Sequence, residues 1–184
     1  MTHFGCAENP AQDDVTRAQL ARFREVVAEV KARGHTDLLC HAAATGAAVR
    51  FPESHFDMVR IGLGLYGLYP SAAVAERIRL DLAVALVTRI VEVRTYRRGD
   101  RIGYGATYEA PRDGFRAGII PIGYHDGLPW RLSNQGFALV NGRRARMVGR
   151  VSMDSAALDL SDVPEAQAGT EALIYGRHDG YELR

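Results

Sequence analysis

Lysine is nearly absent from this chain of 184 residues. Lysine and arginine together number 23, and Lys31 is the only lysine among them. Any chemistry that needs an amine nucleophile therefore has a single candidate side chain. An excess of one charge is also lacking, because the formal net charge is +1. This balance excludes the large basic surface that binds nucleic acid, so we expect no nucleic-acid partner.

Long hydrophobic runs and cysteines are equally scarce. No apolar run reaches the roughly 20 residues that a membrane-spanning helix needs, so we expect no membrane partner. The two cysteines, Cys6 and Cys40, are too few for a disulfide framework, and residues 1–14 lack the charged and apolar regions of a signal peptide. No histidine spacing is typical of metal ligands, so we expect no metal. These features favour a cytoplasmic protein.

The chain divides into two unlike halves of ordinary globular composition. Residues 1–80 alternate helical and short extended patterns, which predicts parallel strands with outer helices. Residues 81–184 consist of short extended segments separated by turn signals, such as Asn141 followed by Gly142, and predict an antiparallel β domain. The first half holds about two βα units, which are too few to close a barrel. The expected fold is therefore an α/β segment, part of a (β/α) barrel, followed by an all-β domain.

Individual elements follow from hydrophobic periodicity and turn residues. In the first half we predict helices over residues 12–33 and 42–50 and strands over residues 37–41 and 56–61. The predicted strands of the second half cover residues 82–93, 102–108, 116–122, 137–141, 144–151, 156–160 and 171–175.

The sequence GLGLYG at residues 62–67 matches the glycine spacing of a dinucleotide-binding turn and follows a predicted strand. A dinucleotide site also needs a helix at the glycines, which Tyr69 and Pro70 would interrupt. It needs an acidic residue about 20 positions on, for which Asp81 is a poor fit. A phosphate cradle of backbone N–H groups is favoured, because glycine lets a phosphate approach closely. A plain glycine turn is the alternative.

Four further side chains occupy positions typical of a cleft. His41 and Arg60 each lie near the end of a predicted strand of the α/β half, where barrels carry their catalytic groups. Tyr104 and Tyr124 lie beside glycines, which leave room for a phenol to project. Each also has a purely structural interpretation, such as a solvent-facing arginine or a hydrogen-bonded core tyrosine. A serine hydrolase is excluded, because the chain has no G-x-S-x-G turn.

Six segments become recognisable when they are taken in order along the chain. They are MTHF at residues 1–4, HAA at 41–43, FDMVRIG at 56–62 with LYGLYP at 65–70, GYGATY at 103–108, PIGYHDG at 121–127 and VGRVSMD at 148–154. Any one of them is a weak signal, but six in this order are highly specific. Together they resemble alanine racemase, a family of pyridoxal-phosphate enzymes.

The resemblance implies an N-terminal α/β barrel of eight strands, a following β domain and a homodimer. This accounts for the two unlike halves. It also implies that Met1 lies within the barrel and that the family's last β segment has no counterpart after Arg184. The implied cofactor is pyridoxal 5'-phosphate, and the implied substrate is alanine.

The resemblance also implies a catalytic scheme in which two bases act on opposite faces of the amino acid, with the cofactor as electron sink. One base would be the lysine that holds the cofactor. The other would be a tyrosine from the partner subunit, which matches Tyr104. The ordinary pKa of tyrosine is about 10, so the site must favour the phenolate. His3 matches the histidine that supports this tyrosine.

Five residues match the family's cofactor-binding positions. Arg60 matches the arginine that faces the pyridine nitrogen. A guanidinium does not give up its proton, so it leaves that nitrogen unprotonated and weakens the electron sink. His41 matches the histidine that supports this arginine. Gly62, Leu63 and Thr45 match positions that contact the phosphate.

Two residues match substrate-binding positions, and three positions depart from the family's pattern. Tyr124 and Met153 match the substrate site, where Met153 would offer its backbone N–H to the substrate carboxylate. Thr45 stands where serine is usual and keeps the hydroxyl. Ala44 stands where asparagine is usual and loses the amide. Trp130 stands where arginine is usual, which changes the polar contacts near the entrance.

The only lysine does not match the position of the cofactor lysine. Lys31 lies on a predicted surface helix, so we expect the 184-residue chain by itself to be inactive as a racemase. Two alternatives stay open at this point. One is a non-catalytic module for dimerisation or ligand binding derived from the same family. The other is a racemase of another small amino acid, such as serine.

Overall fold

The computed structural model describes residues 1–183, and its contacts divide the chain into two compact units. The first unit is Met1–Ala83, and the second begins at Val84. The first is an α/β structure and the second is an antiparallel β structure. The predicted fold class, an α/β segment followed by an all-β domain, is confirmed. Over the described residues, no helix combines the length and the apolar character needed to cross a membrane.

The first unit contains three α-helices, of which one is long. Helix α1 (Asp13–Ala32) begins with two acidic residues, which interact favourably with the partial positive charge of a helix N-terminus. It ends shortly before Gly34, whose φ of +95° is strained for any residue with a side chain. Helices α2 (Thr45–Arg50) and α3 (Ala72–Ala75) are short. The helix predicted over residues 12–33 is confirmed.

The first unit also contains two parallel strands, β1 (His41–Ala44) and β2 (Met58–Arg60). The predicted strand over residues 37–41 is displaced, because pairing with β2 begins only at His41 and residues 37–39 are exposed. The prediction that His41 lies near the end of its strand is therefore wrong, since His41 begins β1. The helix predicted from residue 42 begins instead at residue 45. The alanines of β1 have high helix propensity, and pairing with β2 overrides it.

The core of the first unit is small and includes a buried charge. Arg50 donates a hydrogen bond to the carbonyl of Ala7 (2.6 Å) and another to the carboxylate of Asp13 (2.7 Å). Its guanidinium also lies over the ring of Phe51. Because the charge is paired, it ties α2 to the start of α1. The apolar core consists of Phe4, Ala7, Leu20, Ala42, Ala43, Ala47 and Phe51.

Within the described residues, up to position 183, the second unit is built from ten antiparallel strands. They are β3 (Leu86–Arg89), β4 (Glu92–Tyr96), β5 (Arg101–Ile102), β6 (Tyr108–Glu109), β7 (Phe115–Ile120), β8 (Phe137–Val140), β9 (Arg143–Val148), β10 (Ala156–Asp159), β11 (Glu171–His178) and β12 (Tyr181–Leu183). Eight of them form one sheet in the order β12-β11-β8-β9-β10-β7-β4, with β3 also paired to β11, and β5 pairs with β6. Ile120, Leu158 and Met147 lie in its buried core.

The hairpin predicted at Asn141 and Gly142 is confirmed. These two residues connect β8 to β9, and their φ values are +48° and +76°. Positive φ at both central residues is the signature of the tight hairpin turn whose twist matches that of the strands.

Three features of the second unit differ from the prediction. Residues 82–93 form parts of two strands rather than one, because β3 pairs with β11 and β4 pairs with β7. Residues 102–108 are interrupted by a 3-10 turn at Tyr104–Ala106. Strand β12 was not predicted, and it pairs with the end of β11.

Candidate functional site

Arg60 is the centre of a polar cluster in the first unit. It is the last residue of β2, and its Nη1 donates to Nδ1 of His41 (2.7 Å), the first residue of β1. Its Nη2 donates to Nδ1 of His3 (3.0 Å) and to the carbonyls of Ala42 (3.0 Å) and Thr2 (3.2 Å). One guanidinium therefore links both strands to the first residues of the chain.

The contact with Arg60 fixes the protonation state of His41. A guanidinium only donates hydrogen bonds, so Nδ1 of His41 must accept and must be unprotonated. Burial lowers the pKa of His41, and the positive charge of Arg60 lowers this pKa further. The imidazole is thus held neutral. His3 also accepts from Arg60, and its expected role beside Tyr104 stays a prediction.

Thr45 and the glycine turn after β2 lie next to this cluster. The hydroxyl oxygen of Thr45, at the start of α2, accepts from the N–H of Gly62 (3.2 Å) and from that of Gly64 (3.4 Å). A Cβ on Gly64 would lie 2.7 Å from the Thr45 methyl group, so this close approach requires glycine. Leu63 opens a 3-10 turn of four residues, and its side chain is exposed. No α-helix starts at these glycines, so the dinucleotide interpretation is wrong.

The donors of the first unit fit the chemical groups of pyridoxal phosphate. A phosphate needs several N–H or O–H donors. The Thr45 hydroxyl and the N–H groups of Gly62 and Gly64 lie together, and a phosphate would take the place of the Thr45 oxygen as the acceptor of these N–H groups. A Cβ on Gly62 would meet no atom within 4 Å, so the space beside the turn is open to a ligand. Arg60 supplies a fixed cation for an acceptor such as a ring nitrogen.

Tyr104 lies in the second unit at the edge of a cavity of about 440 Å³. Its side chain is largely exposed, with 73% of its surface accessible. The polar side chains around the cavity give it both positive and negative charge. They are Arg94, Tyr96, Tyr104, Arg150, Ser152, Asp154 and Ser155.

Two glycines shape the loop that carries Tyr104. Gly103 has a φ of +77°, and a Cβ there would lie 2.8 Å from the backbone nitrogen of Arg150. Gly105 has a φ of +70°, and a Cβ there would lie 3.1 Å from Nη1 of Arg150. The Arg150 guanidinium also lies over the ring of Trp130, 5.6 Å from its centroid. The tyrosine loop therefore packs closely on Arg150. We assigned Arg150 no role from the sequence, although it lies within the VGRVSMD segment.

Tyr124 and Met153 lie on two backbone segments that are hydrogen-bonded together. The N–H of Tyr124 donates to the carbonyl of Ser152 (3.0 Å), and the N–H of His125 donates to that of Met153 (2.9 Å). A Cβ on Gly123 would lie 2.3 Å from the Ser152 oxygen, so glycine permits this approach. Both side chains are exposed. The structure thus places the two predicted substrate residues side by side.

Lys31 occupies the last turn of α1, and its side chain is exposed. It belongs to none of the clusters described above. The chain therefore supplies no lysine to the polar cluster around Arg60.

Comparison with known proteins covers both units. Residues 1–70 match the family model "Alanine racemase, N-terminal domain", and residues 83–183 match "Alanine racemase, C-terminal domain". An alanine racemase of Desulfosudis oleivorans is 41% identical over 180 residues, which cover 97% of this chain and 46% of that protein. Alanine racemase 2 of Bacillus subtilis is 40% identical over 185 residues, which cover 99% of this chain and 46% of that protein.

Solved structures give the same result. The alanine racemase of Bacillus anthracis with bound L-Ala-P superposes with a TM-score of 0.81 at 32% identity, over 98% of this chain and 46% of that one. That of Streptomyces lavendulae gives 0.77 at 36% identity, over 95% and 45%. This chain thus spans about half the length of the relatives it matches. With one family model matching each unit, the chain belongs to the alanine racemase family.

Proposed function

We propose that this chain forms part of a pyridoxal-phosphate-dependent racemase that interconverts L- and D-alanine. The observation that carries the proposal is the hydrogen bond from Arg60 to His41, beside the contacts of Thr45 with Gly62 and Gly64. Arg60 ends β2 and Thr45 follows the end of β1, so a fixed cation and candidate phosphate donors lie at the same ends of two parallel strands, which supports the proposal.

The first unit would hold the cofactor. When bound, pyridoxal phosphate supplies an electron sink for the charge that develops when an amino acid loses its α-proton. Thr45, Gly62 and Leu63 would donate to the phosphate, and Arg60 would donate to the ring nitrogen. Because Arg60 keeps its own proton, that nitrogen would stay unprotonated. His41 accepts from Nη1 and so fixes the plane of the guanidinium.

The second unit would supply one base and bind the substrate. Tyr104 would move the α-proton on one face of the amino acid, since its phenol projects from a glycine-shaped loop. Tyr124 and the N–H of Met153 would hold the substrate carboxylate. In this proposal Tyr104 would act on the amino acid bound at the site of a partner subunit in a homodimer. The two free cysteines, Cys6 and Cys40, fit a reducing, cytoplasmic setting.

The second base would be the amine of a lysine. None of the 184 residues supplies such an amine to the polar cluster around Arg60. Lys31 is the only lysine, and it is exposed on α1. We therefore expect no conversion of L-alanine to D-alanine by this chain alone with added pyridoxal phosphate. Turnover by the isolated chain would show that another group replaces the lysine.

The test adds the part of a relative that this chain does not match. The chain is co-expressed with the portion of the Desulfosudis oleivorans racemase that it does not match, and the purified complex is assayed for D-alanine. We expect racemisation, and we expect Tyr104→Phe to lower kcat by roughly 100-fold or more while pyridoxal phosphate stays bound.

Two outcomes of this assay would contradict the proposal. A stable complex that holds pyridoxal phosphate but does not racemise alanine would favour a non-catalytic module. An unchanged rate for Tyr104→Phe would remove the tyrosine from the mechanism. The same assay with L-serine tests the alternative substrate. A higher kcat/KM for serine than for alanine would mean that serine is the preferred substrate.

A further inference from the structure

A second group of polar side chains lies on the C-terminal hairpin of the second unit, apart from the residues assigned to the racemase. Glu171 begins β11, His178 ends it, and Asp179 follows in the turn to β12. Nε2 of His178 lies 3.0 Å from Oε2 of Glu171 and 3.6 Å from Oδ2 of Asp179. All three ligand atoms lie within 4.8 Å of one another.

The sequence predicts no metal from its histidine spacing, and this grouping is not visible there because it depends on a bend in β11. Residues seven apart in a straight strand are separated by about 23 Å, which is too far for their side chains to meet. Gly176 bends the strand with a φ of +99°, and a Cβ there would lie 2.2 Å from the carbonyl oxygen of Val84. The pairing of β11 with β3 also shifts register between Leu173 and Tyr175. Because of these irregularities, the side chain of His178 lies beside that of Glu171.

We propose that Glu171, His178 and Asp179 form a binding site for a divalent transition-metal cation, for which Zn²⁺ is the best fit. A tetrahedral Zn²⁺ ion with bonds of about 2.0–2.1 Å separates its ligand atoms by about 3.3 Å. The distances of 3.0 and 3.6 Å from the imidazole nitrogen bracket this value. One imidazole nitrogen can donate its proton to only one of the two carboxylates, whereas a cation would contact both.

Arg89 orients one of the three proposed ligands through a hydrogen bond. It donates to Oε1 of Glu171, which leaves Oε2 directed at His178. Hydrogen bonds that orient a ligating carboxylate in this way are common around metal ions. All three ligands are partly exposed, so water can complete the coordination. The site is independent of the racemase proposal.

The test uses the 184-residue chain without pyridoxal phosphate and without a histidine tag. We expect one Zn²⁺ per chain by titration calorimetry, and a visible absorption band with Co²⁺ that Zn²⁺ displaces. His178→Gln and Asp179→Asn should each weaken binding by roughly 10- to 100-fold. Glutamine can still donate to Glu171, and asparagine tolerates the positive φ at position 179 (+47°). Both variants should therefore keep the hairpin, which circular dichroism checks.

His35→Gln is the matched control, because His35 is exposed in the first unit and should leave binding unchanged. Absence of saturable Zn²⁺ binding would overturn the proposal. So would equal affinity in the parent chain and in either hairpin variant, because His178 would then be only a hydrogen-bond partner of Glu171. If one variant fails to fold, the other decides the result.

Discussion

The two units hold their candidate functional residues by different means. In the first unit, side chains bond to side chains and carbonyls, and Arg60 alone contacts four acceptors. In the second, Tyr104 and Tyr124 are positioned by backbone segments that approach closely at Gly103 and Gly123. A two-stranded sheet offers few backbone bonds, so polar side chains must fix its geometry. An eight-stranded sheet fixes its backbone by pairing, so glycines decide where a loop can lie.

In the second unit, we expect the largest loss of stability from adding one methyl group at a glycine. Gly123→Ala would put a Cβ 2.3 Å from the Ser152 oxygen and 2.5 Å from the Asp154 nitrogen. We expect a loss of about 3 kcal/mol in the free energy of unfolding, because backbone must move apart. Urea denaturation measures it.

The control separates steric overlap from backbone strain. Gly127 has a φ of +95° but open space around it, so Gly127→Ala should cost only about 1–2 kcal/mol. Equal losses for the Gly123 and Gly127 variants would mean that close packing does not position Tyr124.

In the first unit, we expect a comparable loss of stability from removing a polar side chain, that of Arg60. Arg60→Ala should cost about 2 kcal/mol, because it leaves His41 and the carbonyl of Ala42 without their charged donor. Arg60→Lys keeps the charge but cannot reproduce the fork that contacts several acceptors at once. We expect an intermediate loss in urea denaturation. A lysine variant as stable as the parent would show that charge alone, and not the geometry of the guanidinium, organises the cluster.

The pH dependence of the first unit follows from His41. Its pKa is lowered in the folded chain from an ordinary value of 6.5, so the unfolded chain binds the proton more readily. The contribution to stability is therefore fully present above pH 6.5 and is lost as the pH falls from 6.5 through the lowered pKa. Urea denaturation at several pH values measures this slope. Since glutamine does not titrate, His41→Gln should flatten it, and an unchanged slope would assign the dependence to another group.

The sequence predicts well the features that local patterns determine. The periodicity of α1 and the turn at Asn141 and Gly142 are decided by neighbouring residues, and both are confirmed. The start of β1 and the division of residues 82–93 depend on which distant strand is the partner. No local pattern contains that information.

The candidate site shows the same limit. The segments that resemble the family include Arg60 and His41, and Thr45 lies two residues beyond one of them. The structure brings Arg60 and His41 into contact and places Thr45 against the glycine turn. From the sequence, Gly64 has a role only as one glycine of the GLGLYG motif, and Arg150 has none. Their importance is steric, because each approaches a group distant in sequence, and spacing along the chain does not reveal such contacts.

The smallest expected effects concern two residues, one in each unit, that are proposed to act through a backbone N–H. Leu63 and Met153 are 49% and 54% exposed, so Leu63→Ala and Met153→Ala should each change the free energy of unfolding by no more than about 0.5 kcal/mol. In the co-expressed complex, Leu63→Ala should leave the affinity for pyridoxal phosphate nearly unchanged. Met153→Ala should leave the KM for alanine nearly unchanged.

Leu63→Pro sharpens this last prediction, because it removes the N–H while proline is tolerated at the first position of a helical turn. A charged hydrogen bond would be lost to the phosphate, so affinity for pyridoxal phosphate should fall by about tenfold. Leu63→Ala could instead lower the affinity for pyridoxal phosphate as much as Leu63→Pro. The side chain of Leu63 would then matter, and the glycine turn would not bind phosphate through its backbone. The first unit would then position its ligand through side chains alone, and the contrast with the second unit would be sharper still.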